Sequence, residues 1–436
     1  MPRRLPAVLL LALLAPGRAA ADVFTLKNGT TVDGYEVGKT PRGETVIGTA
    51  KAVRKIASTA ITGMVPSADP AADFERYFAA LGKKDAEGAA GLGAWAKERG
   101  LPDAARKAFE KAVEWSPDNA RAREGLGFVR VEGAWLTPAE AEKRRADEAA
   151  REAFASGLEK SLGQRPEAVF TEHWRYADLL GDGKAADRAK DMEKAFAEAV
   201  AILGSDPWKD RATAVACAGK EQYGKWIETE GRRLPGMRGP LLEGVKKATG
   251  LKWHEPPVLC RSDVPSASAM HAAFVHTAGH LLVNLWGGYS REAPLPFWVE
   301  EGFGGWMEDR ILTTRSSFCF GTKVKTGYGN TTRHGKDWDI EDPDWKSLIR
   351  MTAQKNEFLP LDQLDALQSG EYSPREVGQA FSFVAFLLKE KEPARLRDYV
   401  TRVKGGAKSP VAFRQAYGQS LEEIEPAWKA FATSGW

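Results

Sequence analysis

Cysteine is scarce in this chain of 436 residues, which contains only Cys217, Cys260 and Cys319. The three form no CxxC pair, so the sequence indicates neither a zinc ribbon nor a dithiol redox motif. Runs of about 18 apolar residues are also absent, which argues against a membrane span. In an exported protein a disulfide between Cys260 and Cys319 would be permitted, because oxidising compartments preserve such bonds.

An excess of either charge is missing as well. The first 21 residues combine Arg3 and Arg4 with an apolar run over 7–15 and small residues before Asp22, which is typical of a secretory signal peptide. This segment holds three of the 62 basic residues, so its removal leaves them equal in number to the 59 acidic ones. A neutral chain has no strong general attraction to nucleic acid or anionic membranes. We predict a secreted or periplasmic protein with no nucleic-acid partner.

Alternating apolar and polar residues predict a small β module over residues 22–65. Short β-like runs are separated by Gly and Pro, and Asn28-Gly29 between the first two is a strong hairpin signal. The module either binds a cell wall or partner, or packs as a structural appendage. No aromatic cluster marks a ligand face, which favours the structural interpretation.

The segment 72–162 is rich in alanine and predicts helices. Leu92-Gly93 recurs 34 residues later as Leu126-Gly127, with further spaced residues at Gly100, Ala105, Phe109, Ala112 and Pro117. This pattern resembles the tetratricopeptide repeat, which implies paired helices. One good repeat and a partial second predict a spacer or docking arm, since a peptide-binding groove normally needs several stacked repeats.

The most informative stretch covers residues 274–310. His276 and His280 lie four apart in an apolar segment that predicts a helix, so both imidazoles lie on one helix face. A second apolar helical segment opens on Trp298–Gly302 and contains Glu301. Two imidazoles and a carboxylate form a ligand set that zinc accepts. His276, His280 and Glu301 are therefore candidate metal ligands.

These motifs resemble the gluzincin branch of the peptidase MA-like zinc metallopeptidases, in which HExxH is followed by a ligand glutamate in a Trp-x-x-Glu-Gly context. The resemblance covers residues 165–436 and implies a zincin-like domain with a helical tail, a zinc cofactor, and a peptide or protein ligand. Thr277 stands where the family has the glutamate that takes a proton from water at the zinc. Gly305 stands where relatives often carry another acid.

A threonine hydroxyl cannot act as a base near neutral pH, so no catalytic residue is assigned. Glu300 points about 100° away from Glu301 on a helix, and Glu308 lies roughly 10 Å further along the axis. Neither is placed to reach the same water. The substrate-binding residues stay unknown, and His334 is better explained as a surface histidine than as a substrate contact.

The overall prediction is a multidomain α+β protein, with single strands over 169–176 and 251–261 and a helix over 185–203 in its last domain. Three functions stay open. The first is a catalytically impaired pseudopeptidase that binds peptide or protein. The second is an active zinc-dependent hydrolase with a different base, and the third is a metal-free scaffold that acts through its repeat and β modules.

Overall fold

The computed structural model describes residues 22–262, 266–314 and 345–434. The predicted signal peptide, Cys319 and His334 lie outside the described residues. The chain has an α+β fold and divides into two compact units at Ala146/Asp147, which confirms the predicted fold class. None of the described helices is long and apolar enough to cross a membrane.

The first unit begins with a five-stranded antiparallel sheet in the order β4-β3-β2-β1-β5. Its strands are β1 (Asp22–Leu26), β2 (Thr31–Lys39), β3 (Glu44–Gly48), β4 (Val53–Ala57) and β5 (Ile61–Val65). The Asn28-Gly29 turn joins β1 to β2, and Gly29 has a φ of 77°, which a residue without Cβ adopts at little cost. The predicted hairpin is confirmed.

Four helices follow the sheet. They are α1 (Pro70–Ala80), α2 (Ala86–Glu98), α3 (Pro102–Trp115) and α4 (Ala120–Gly125). Helices α2 and α3 pack against each other, whereas α4 is short and leads into a hairpin. The hairpin strands are β6 (Val129–Val131) and β7 (Ala134–Leu136). Tyr35 of β2 shares a core with these helices, so the sheet and the helical segment belong to one unit.

Helix α5 (Pro138–Leu162) connects the two units and contains the boundary between them. Its first half carries many charges of both signs, as in Glu142, Lys143 and Arg144. The second unit begins at Asp147, whereas we expected the zincin-like domain to begin at residue 165.

The second unit contains a five-stranded sheet in the order β11-β12-β10-β9-β8. The strands are β8 (Glu167–Phe170), β9 (Trp174–Asp178), β10 (Ala212–Ala216), β11 (Gly250–Trp253) and β12 (Val258–Arg261). The three central strands are parallel and both edge strands are antiparallel. The predictions of one strand over 169–176 and one over 251–261 are wrong, because each range forms a hairpin.

Helices cover this sheet and continue into the tail. They are α6 (Ala185–Leu203), α7 (Lys220–Thr229), α8 (Gly239–Lys247), α9 (Ala267–Leu285), α10 (Phe297–Leu312), α11 (Trp345–Gln354), α12 (Leu361–Ala366), α13 (Pro374–Lys389), α14 (Pro393–Lys404), α15 (Ser409–Tyr417) and α16 (Leu421–Thr433). The helix predicted over 185–203 is confirmed. Helices α6, α9 and α13 contribute the most residues to the main core, and α10 adds to it.

Candidate metal centre

Helix α9 carries apolar residues around nearly its whole circumference, and other elements cover it on several sides. Ser266 caps it by accepting a hydrogen bond from the Ala269 backbone N–H, and almost every residue from Ala269 to Leu285 is buried. It packs on α6, α10 and β12. A helix with apolar residues on all sides is stable only in such surroundings. His276 and His280 are therefore held inside the protein, and not at a surface.

Helix α10 lies against α9 at a very small separation. A Cβ added at Gly279 would lie 2.8 Å from Gly304 Cα, so the two glycines permit a contact that larger residues would prevent. This approach brings Glu301, which is fully buried, to the two imidazoles. We call His276, His280 and Glu301 the metal triad.

The three side chains of the metal triad converge on one point. His276 Nε2 lies 3.0 Å from His280 Nε2 and 3.3 Å from Glu301 Oε2, and His280 Nε2 lies 3.4 Å from Glu301 Oε1. Zinc bonds of about 2.0–2.2 Å at tetrahedral angles place neighbouring ligand atoms about 3.3–3.5 Å apart. The two imidazole–carboxylate distances agree with these values and the imidazole–imidazole distance of 3.0 Å is shorter, so the metal triad could hold a metal ion after a small adjustment.

Each imidazole has a second carboxylate near its other nitrogen. His276 Nδ1 lies 3.4 Å from Glu308 Oε2, and His280 Nδ1 lies 3.5 Å from Glu300 Oε2. A carboxylate at Nδ1 favours the tautomer that leaves the Nε2 lone pair available to a metal. The sequence did not indicate these two roles. Glu308 offers His276 a carboxylate even though Gly305 replaces the acid that the family resemblance led us to expect.

Glu300 also makes an ion pair with a lysine of the edge strand. Lys252 Nζ of β11 lies 2.5 Å from Glu300 Oε2. Burial acts to raise the pKa of Glu300, but the Lys252 charge and the contact with His280 hold it well below its usual range. Glu300 is therefore ionised at neutral pH, and its charge is balanced by Lys252.

Lys404 of α14 holds the C-terminal end of α9. Its Nζ donates to the carbonyl oxygens of Asn284 at 2.6 Å and Gly288 at 3.0 Å, and also to that of Trp286. A cation at this end complements the helix dipole. Burial lowers the pKa of Lys404 to about 8.

Thr277 stands at the position where the gluzincin peptidases, which the motif resembles, have their general base. A threonine carries no carboxylate that could serve as one. Thr277 Oγ1 donates to the Ala273 carbonyl oxygen at 2.6 Å and accepts a hydrogen bond from Arg261 Nη1 at 2.9 Å. Arg261 ends β12, the strand that packs beside α9. A guanidinium group thus contacts the residue that directly follows His276 in the chain.

Two other sequence expectations concern residues near this site. His271 precedes His276 by five residues in α9; its Nε2 lies 3.2 Å from Asp191 Oδ2, and it is not part of the metal triad. Cys260 Sγ lies 3.8 Å from Cys217 Sγ, and both are free thiols. The predicted partner of Cys260, Cys319, is outside the described residues.

A second group of side chains with the composition of a metal site lies elsewhere in the same unit. It consists of Glu172, His173 and Glu193, and the sequence did not indicate it. His173 Nδ1 lies 2.5 Å from Glu193 Oε1, and its ring stacks on Phe196 with centroids 3.6 Å apart. Glu172 is exposed. Hydrogen bonds between His173 and Glu193 account for this arrangement without a metal.

Comparison with known proteins adds no assignment. The chain matches no model of a protein family and no curated protein.

Proposed function

We propose that this chain is an exported metallopeptidase-like protein that holds zinc at the metal triad and binds peptide or protein with little or no hydrolysis. One observation carries the proposal. A buried His/His/Glu group with metal-ligand spacing lies beside a threonine that contacts an arginine, where the peptidase family has its general base.

The chemistry of these residues favours binding over turnover. Zinc at such a site acts as a Lewis acid and lowers the pKa of a coordinated water to about 7. The loss of a positioned general base typically costs about 10²–10⁴ in rate. Arg261 cannot replace it, because a guanidinium group stays protonated and has no acceptor. The remaining carboxylates near the triad orient imidazoles, since Glu300 and Glu308 approach the Nδ1 atoms.

Elemental analysis of the purified mature protein tests the metal. We expect stoichiometric zinc in the wild type and its loss in His276→Ala. His173→Ala is the matched control, because it removes the histidine of the second group and should leave the zinc content unchanged. A wild type that takes up no zinc would favour the metal-free scaffold and contradict the proposal.

A second experiment tests whether the site is a peptidase site that lacks its base. In Thr277→Glu the new carboxylate would lie within reach of Arg261, and an ion pair would lower its pKa and make it a weaker base. We therefore expect a small gain in cleavage of a mixed peptide library from Thr277→Glu. For peptides without a carboxylate, a larger gain is expected from the double variant Thr277→Glu/Arg261→Gln.

Two outcomes of this experiment would contradict the proposal. If the wild type cleaves the library as fast as the double variant and a chelator stops it, the chain is an active hydrolase with another base. If all three proteins bind zinc and the double variant gains nothing, the loss of the base does not explain the missing activity.

A further inference from the structure

Arg261 is a cation whose charge no side chain balances in the part of the chain that the structure describes. Its Nη1 donates to the neutral Thr277 hydroxyl, and its Nε is buried without a hydrogen-bond partner. The buried Arg188 of the same unit provides a comparison, because carboxylates pair with its guanidinium group. Arg188 lies 2.7 Å from Asp178 and also pairs with Asp182. Arg261 is half-buried and its Nε is shielded from solvent, so water hydrates its charge only in part and an anion that reaches the guanidinium group would form a charge-assisted contact.

The neighbouring strand leaves room for the Arg261 side chain. Gly250 of β11 is its register partner, and a Cβ added at Gly250 would lie 3.4 Å from Arg261 Cγ and 3.8 Å from Cζ. The arginine therefore lies across a residue without a side chain. Its guanidinium group extends to Thr277, whose neighbour in the chain is the ligand His276.

The charges around the metal triad also favour an anion. A zinc ion would bring two positive charges, which Glu301 and Glu308 balance, while Lys252 balances Glu300. Arg261 and Lys404, which is held by carbonyl oxygens, are then cations without a carboxylate partner of their own in the described part of the chain. A guanidinium fork matches the two oxygens of a carboxylate, and such charge-assisted hydrogen bonds are stronger than neutral ones.

We propose that Arg261 forms an anion subsite beside the metal triad, and that the ligand of this site carries a carboxylate there. The inference rests on the proposed function, because the anion is held next to the metal. The carboxylate belongs either to the C-terminus of a peptide or to an acidic side chain. The subsite makes the domain selective for acidic ligands.

The test uses full-length mature protein loaded with Co²⁺, whose visible absorption reports changes around the metal without any need for activity. Acetate, acetyl-trialanine, its C-terminal amide and acetyl-Ala-Asp-Ala amide are titrated in turn. We expect the two carboxylate-bearing peptides, or one of them, to bind wild type at least about tenfold more tightly than trialanine amide. Which of them does so identifies the source of the carboxylate.

Variants assign the effect to Arg261. Arg261→Gln should weaken the binding of acetate and of the preferred peptide by about 10- to 100-fold, because a charged hydrogen-bond donor is lost. Arg261→Lys should lie between it and wild type. Arg310→Gln is the control. It also removes one positive charge from this unit, but at a side chain that is largely exposed. If Arg261→Gln does not fold, Arg261→Met provides the same test.

The outcomes separate the two proposals. Wild-type protein that takes up no Co²⁺ overturns the proposed function and this inference with it. Protein that takes up Co²⁺ but binds the amide as tightly as the acids overturns this inference alone. The same holds if Arg261→Gln retains wild-type affinity for the carboxylates.

Discussion

The contact between α9 and α10 makes Gly304→Ala a direct test of the metal triad. A Cβ at Gly304 would lie 2.7 Å from His280 Cδ2 and 2.9 Å from His276 Nε2. Ordinary van der Waals contact begins near 3.4 Å, so the rings would have to move by about 0.5–0.7 Å, and the His276 carbonyl oxygen, which would also lie 2.9 Å from the Cβ, by about 0.5 Å. Metal–ligand distances tolerate only about 0.2 Å. We therefore expect the substitution to reduce zinc affinity by about 10²-fold or more.

Folding should be affected much less than binding. Overpacking of a core typically costs about 1–3 kcal/mol, whereas replacement of glycine by alanine inside a helix returns about 1 kcal/mol. The free energy of unfolding of the metal-free Gly304→Ala protein should fall by about 0–2 kcal/mol. Competition with a chromophoric chelator gives the zinc affinity, and urea unfolding in the presence of EDTA gives the stability.

Gly305→Ala is the matched control. It makes the same exchange one residue later in α10, but its Cβ would lie 3.0 Å from Phe381 Cβ on α13, away from the imidazoles. Its zinc affinity should stay close to that of wild type. A folded Gly304→Ala protein that binds zinc as tightly as Gly305→Ala would refute the assignment of His276 and His280 as ligands.

Three further outcomes follow from the structure. Glu308→Gln should lower zinc affinity by about 10- to 100-fold in chelator competition, since a carboxylate at Nδ1 orients its ligand histidine; unchanged affinity would contradict this role. Burial lowers the pKa of His254 to about 4, so the stability that its neutral form contributes is present above pH 6.5 and is lost as the pH falls towards 4. Between pH 7 and pH 5, urea unfolding should show wild type losing about 1–2 kcal/mol more than His254→Phe, a figure reduced because the ring is only partly buried; parallel pH curves would argue against it. Cys217 and Cys260 are buried, and burial raises the pKa of the Cys260 thiol, so mass spectrometry should find both unmodified after iodoacetamide treatment of the folded protein and modified after unfolding.

The metal triad could be predicted because its geometry is largely local. Spacing within one helix places His276 and His280 together, and the second helix follows closely enough in the chain to bring Glu301 to them. The two predicted strands, over 169–176 and 251–261, are each interrupted by a turn that the prediction missed. Thr171 Oγ1 accepts a hydrogen bond from the Trp174 N–H and closes a turn inside the predicted strand, which apolar periodicity does not reveal. In the other case Pro256 and Pro257 were visible turn signals within the range.

The surroundings of the triad depend on contacts that helix geometry alone cannot give. The spacing of Glu308 from Glu301 places it far along the axis of α10, but the crossing of α9 over α10 brings it to His276 by another route. Arg261 reaches Thr277 because β12 lies beside α9. Neither crossing can be read from a single sequence.

The hydrogen bonds that Lys404 donates to three carbonyl oxygens connect α14 with the C-terminal end of α9. Asn284, the first of these residues, lies one turn after His280, so α14 contacts the part of the chain that follows directly on a candidate ligand. Lys404→Met would leave those oxygens without their donor and would loosen the last turn of α9 while keeping the core residues of α14. If His280 binds a metal, this change lies four residues from that histidine, and the retention of the metal would then depend on how firmly α14 is docked.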